Sequence, residues 1–178
     1  MRKLLPLAML ALAACSSEPA EQETADDFAS RIGQSGAQAQ LDPSQPDPNA
    51  PNVAQAAPPA NVDLTSLQQL GDVGGVNLGP REGGCTFMAG EQEMIIAAGM
   101  NEPTLPGKAV VRVGNTLVMM DASAGGLAAI KRGTTFEGEG FKVTVRPAAG
   151  DAQTRPVNVS VTDAAGKSQT FSGNWICA

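Results

Sequence analysis

Strict alternation of apolar and polar residues in its C-terminal half is what most limits how this chain can fold. In residues 141–146, Phe141, Val143 and Val145 fall on one side of an extended chain. A period of two marks a strand with one buried face. Val157, Val159 and Val161 repeat the pattern, with Pro156 at the start of the run, where a missing amide donor is tolerated. Residues 108–114 and 116–121 read as two more strands, and Gly114-Asn115 suits a tight hairpin turn between them. Ala164-Ala165-Gly166 turns the chain into another strand over residues 167–172, and short strands are expected at residues 85–89, 93–98, 127–130 and 134–137. So many short strands at close spacing predict an all-β domain over residues 83–178, a small antiparallel barrel or sandwich.

The opposite end of the chain predicts where it resides. Arg2 and Lys3 precede an apolar run over residues 4–12, and small residues follow it up to Cys15. The run is far too short to span a bilayer, so residues 1–14 read as a secretory signal peptide. Leu12-Ala13-Ala14-Cys15 closely resembles the lipobox of bacterial lipoproteins. That resemblance implies cleavage between Ala14 and Cys15, lipidation of the Cys15 thiol and acylation of the new amino terminus with palmitate-class chains. Several such chains would anchor firmly, at ~0.8 kcal/mol per buried CH₂. Ser16, where Asp is absent, resembles the default for outer-membrane sorting in two-membrane bacteria. The expectation is a cell-envelope protein held to the outer membrane by its lipid, with the domain in the periplasm.

Export constrains the other two cysteines. With Cys15 taken by lipid, Cys85 and Cys177 remain in an oxidising compartment, where a bond between them is expected. It would close a loop of about 90 residues, worth ~4–5 kcal/mol in the chain-entropy model. Cys85 lies in the first strand and Cys177 in the last, and a disulfide needs their Cα atoms within roughly 7 Å. First and last strands as neighbours point to a closed meander barrel, which also removes exposed strand edges. Strand parity then places Phe87 and Trp175 inside, beside the bridge.

Two segments precede this domain. Residues 15–60 are rich in Ala, Gln, Pro, Ser and Asp, with six prolines between Asp42 and Ala60. Such a stretch buries too little apolar surface to offset ordering, so it reads as a disordered, partly polyproline II tether. Within it, Thr24 is placed to cap a short helix carrying Phe28 and Ile32 and ending at Gly33, but so short a helix is marginal alone in water, and an unstructured tail is the favoured reading. Residues 61–82 differ. Asp63 is a good N-cap, Leu64, Leu67 and Leu70 recur at spacing three, Val62 and Leu67 suit a hydrophobic staple, and Gly71 suits a C′ position. These predict a two-turn helix over residues 64–70, docked on the β domain.

Composition narrows the chemistry. The chain has no histidine, no tyrosine and one tryptophan, which removes the Ser-His-Asp triad and the commonest transition-metal ligand. Ser-x-x-Lys and Gly-x-Ser-x-Gly are absent, and Arg81-Glu82-Gly83-Gly84 lacks the ending of a P-loop. Glu137 and Glu139 are the pair to consider for acid–base work, and they read as a solvated edge around the glycines at 138 and 140. Met88, Met94, Met100, Met119 and Met120 are soft groups suited to Cu(I), but their spacing matches no ligand motif and they read as gap-fillers. No catalytic residue, metal or cofactor is expected. The formal charge is −6, and the leader carries off two of the cations. From Gly83 onward eight acids balance eight bases, so the acidity belongs to the tail and nucleic acid is an improbable partner.

Lipobox, small barrel and one early-to-late disulfide together resemble the lipid-anchored inhibitors of c-type lysozyme, over about residues 85–177. That family's inhibitory motif is built on Ser-Gly with a nearby tyrosine and a later Lys-Gly. This chain offers Ser123-Ala124-Gly125 and Lys131-Arg132-Gly133, with no tyrosine. Its domain is neutral, where a basic lysozyme favours an acidic face. No inhibitory residue is carried over. The expected function is a non-catalytic binding or scaffolding module on a tether, with an envelope protein or glycan as partner. A lysozyme inhibitor or similar defence protein is the first alternative, and an enzyme of unrecognised type the second. Replacing Cys15 by Ala should abolish acyl labelling and release the protein from the membrane fraction; labelling that survives would refute the anchor.

Overall fold

A computed structural model describes residues 52–178. The leader, Cys15, the segment from Thr24 to Gly33 where a short helix was the alternative to an unstructured tail, and most of the expected tether lie outside the described residues. The described chain is an all-β closed barrel of eight antiparallel strands in meander order. The strands are β1 (Gly83–Ala89), β2 (Gln92–Gly99), β3 (Pro106–Val113), β4 (Thr116–Ala124), β5 (Thr135–Gly138), β6 (Phe141–Pro147), β7 (Thr154–Asp163) and β8 (Ser168–Cys177). Antiparallel pairing of β1 with β8 closes the wall. Helix α1 (Gly126–Arg132) connects β4 to β5.

Period-two sequence becomes a two-faced wall. Phe141, Val143 and Val145 of β6 and Val157, Val159 and Val161 of β7 all point inward to one apolar core. Gly114 and Asn115 both adopt left-handed backbone (φ 53 and 64), the primed turn whose twist matches its flanking strands. Met94 and Met120 fill the inner core, and Met119 packs on the outer face.

Three expectations are corrected. Residues 127–130 are not a strand but part of α1. Leu127 and Ile130, three apart, share a helical face that plugs one end of the barrel. The fit is close: a Cβ on Gly107 would sit 2.5 Å from Ile130 Cδ1. The amides that open α1 are taken by the β2–β3 loop, Gly126 N–H donating to Leu105 O and Leu127 N–H to Met100 O. Trp175 Nε1–H donates to Ile130 O at the other end of the helix.

Residues 64–70 are not helical either. They form an irregular extended path within a strap, residues 52–82, that wraps the barrel. Asp63 caps as expected, but its carboxylate accepts from the Thr65 amide and hydroxyl in a local turn that starts no helix. The leucines separate because two different surfaces claim them. Leu64 and Leu67 cover the interior at the end opposite α1, while Leu70 joins a second cluster outside the wall with Leu78, Ala98, Val110 and Leu117. β3 is therefore buried on both faces along most of its length.

The strap also supplies backbone partners where the strands splay. β5 reaches only Asp121 and Ala122 of β4. Nearer the start of β4, Gln55 fills the gap, its N–H donating to Leu117 O and its carbonyl accepting from Met119 N. Residues 52–60 were expected to belong to the disordered tether, and this pairing places them against the barrel instead. Similarly, Gln68 N–H donates to Arg112 O and Leu70 N–H to Glu93 O, where pairing of β2 with β3 has ended. Arg112, 1% exposed, donates from Nε to Leu70 O and from Nη1 to Asn115 O. Val62 covers Gly114, and Lys167 pairs with Asp63 at 2.6 Å. The Lys167 ammonium, helped by Thr65, lowers the Asp63 carboxyl pKa to about 2.

Leu67→Ala should destabilise the whole barrel by about 2–5 kcal/mol in denaturant titration, the range for emptying a buried leucine site. A change under 0.5 kcal/mol would show that the strap is not part of the folding unit.

Candidate functional site

The closure seam places the two cysteines. Cys85 lies opposite Cys177 and Phe87 opposite Trp175 in the β1–β8 register. The disulfide forms across the pair, with Cα atoms 4.0 Å apart and a sequence separation of 92. Phe87 and Trp175 are both inside and fully buried, as strand parity requires. This seam is structural.

Directly outside it lies a groove of about 650 Å³ between the strap and the outer face of β1, β2 and β8. Val73, Val76 and Leu78 of the strap form one wall, and Thr86, Ile96 and Ile176 form the other. Ile176 is 39% exposed, one of the few large apolar side chains left in water. Arg81 and Glu82 stand at the rim, where Glu82 Oε2 accepts from the Asn101 amide at 2.8 Å. The Asp72 carboxyl, at the start of this strap section, is held below its usual pKa by the Gly74 amide and then by Asn52. Chemically the groove offers mainly apolar surface, with the Thr86 hydroxyl in one wall and Arg81 and Glu82 at its edge.

The carboxylates considered for catalysis lie elsewhere. Glu137 is exposed on β5, opposite Lys142 of β6, and borders an open cleft of about 360 Å³ that also includes Asp163. Glu139 is exposed in the following turn and does not line that cleft. Neither has the burial that sets a catalytic carboxylate pair apart. Among the described residues, no three His, Cys, Asp or Glu side chains are grouped to hold a metal ion. Ser123 and Ala124 end β4, Gly125 precedes α1, and Lys131, Arg132 and Gly133 end it. The two fragments compared with the lysozyme inhibitors thus sit at opposite ends of one short helix.

Sequence reasoning did not single out the groove. One signal was available: if Trp175 and Cys177 face inward, Ile176 must face outward, and an outward isoleucine on a last strand is unusual. The strap wall carried no such signal. Comparison with protein-family models, with curated proteins and with solved structures finds no match to this chain.

Reduction of Cys85–Cys177 should lower the denaturant midpoint by the equivalent of a few kcal/mol and change Trp175 fluorescence, since the indole lies beside the bridge. A midpoint unchanged by reduction would show that backbone pairing alone holds the seam.

Proposed function

We propose that this chain is a lipid-anchored protein of the cell envelope whose barrel is a non-catalytic binding or scaffolding module. The observation that carries the reading is the filled interior. Among the described residues the buried polar or charged side chains are Thr65 and Arg112. Thr65 donates to Asp63 in the strap turn, and Arg112 is engaged by the strap outside the wall. Both barrel ends are plugged, so ligand recognition falls to the outer surface. There, the apolar groove beside the disulfide suits protein side chains better than sugar rings. Glycan sites stack sugars on exposed aromatics, and this chain has no tyrosine and buries its one tryptophan. The proposed partner is therefore an envelope protein, and the lipid on Cys15 keeps the module at the membrane where that partner is met.

Incorporating a photo-crosslinking amino acid at Ile176 in intact cells should give an adduct of defined mass. The same probe at Lys142, exposed on β6 away from the groove, should give none, and Cys15→Ala should weaken the Ile176 adduct. Turnover by the purified protein that Glu137→Gln abolishes without unfolding it would overturn the reading.

A further inference from the structure

At the α1 end of the barrel, meeting the groove at Cys177, a further cavity of about 310 Å³ is lined by Lys131 and Arg132 of α1, Asp151 and Gln153 of the β6–β7 loop, Arg155 of β7 and Cys177 of β8. Arg155 is half-buried and rigidly held. Its Nη1 donates to the carbonyls of Gly150 at 2.9 Å and Ala148 at 3.2 Å, and its Nη2 to that of Lys131. Its Nε is buried with no acceptor. Every acceptor it has is a neutral carbonyl, so no carboxylate neutralises the guanidinium. Lys131 and Arg132 likewise have no ion-pair partner among the described residues. Asp151 is the one carboxylate lining the cavity.

Three cations thus converge against one anion in a domain where acids and bases are equal in number. The helix dipole favours cations in the last turn, which accounts for Lys131 and Arg132. It does not account for a half-buried, uncompensated guanidinium with an unspent N–H, since buried polar groups are ordinarily satisfied and buried charges paired.

We propose that this cavity binds a phosphate monoester. A guanidinium fixed by carbonyl contacts is preorganised, and guanidinium and ammonium groups together are the usual means of holding phosphoryl oxygens. The cavity is at the lower end of the roughly 300–1,000 Å³ of ligand pockets, which suits a compact headgroup or a single sugar phosphate. Half-buried Lys131 and exposed Arg132 supply the further charge that recruits the anion. Asp151 opposes it and limits the affinity.

The test uses the Cys15→Ala chain in detergent-free buffer, so that no acyl anchor carries it onto the vesicles. Calorimetric titration with inorganic phosphate at low salt should show saturable one-to-one binding that chloride weakens. Co-sedimentation with phosphatidylcholine vesicles, with and without phosphatidic acid, forms the second arm. Lys131→Gln with Arg132→Gln should weaken binding by about tenfold or more, as expected for losing charge-assisted contacts. Asp151→Asn, an exposed change that threatens no packing, should tighten it several-fold, and it carries the test if the double variant fails to fold. A response to both probes identifies the phosphoryl group itself as the ligand, and a response to phosphatidic acid alone identifies a lipid headgroup; either supports the proposal when the variants shift it. No response in either arm, or one that both variants leave unchanged, overturns it.

Discussion

Everything in this structure depends on the pairing of the first strand with the last. A sheet of eight strands left open would present two long edges, each a row of unpaired amides and carbonyls. Pairing β1 with β8 removes both edges, and the disulfide across that pair keeps the ends from separating. Phe87 and Trp175 meet beside the bridge on the inner face, so the covalent tie and the largest apolar contacts act at one place. A domain of under a hundred residues buries a modest fraction of its surface, and a staple at the seam contributes where the core alone is marginal.

Closure leaves two weaker places in the wall, where β2–β3 and β4–β5 pairing stops early. The strap repairs both with backbone hydrogen bonds from Gln55, Gln68 and Leu70. It also gives parts of β2, β3 and β4 an apolar cover on their outer face, so that a portion of the wall is buried on two sides. Arg112 ties this arrangement together. A buried guanidinium needs acceptors in fixed places, and the strap supplies one of them, Leu70 O, beside Asn115 O of the hairpin turn.

Function follows from where the unused surface lies. The interior is full and both ends are closed, one by Leu64 and Leu67, the other by α1. The proposed recognition therefore falls to features that the packing leaves outside it: an apolar groove beside the seam, and a cationic cavity where Arg155 and α1 meet. The second arises from architecture. Arg155 caps the helix by donating to Lys131 O, and in doing so it is held beside two more cations without a carboxylate to neutralise it.

The sequence by itself determined the strands, the hairpin turn at Gly114-Asn115, the pairing of Cys85 with Cys177 and the inward placement of Phe87 and Trp175. Alternation and turn chemistry are local or parity properties, and the one long-range constraint, the bond, follows from cysteine count once Cys15 is expected to carry lipid. Residues 127–130 were ambiguous, because a four-residue apolar run has too few positions to separate a period of two from one of 3.6. Leu64, Leu67 and Leu70 had helical spacing, yet only the tertiary structure decided their conformation, since two are drawn to the barrel interior and one to its outer face. The groove and the cationic cavity were invisible for the same reason. Their walls come from segments distant in sequence, and what they offer a ligand depends on which charges and side chains the fold leaves uncovered.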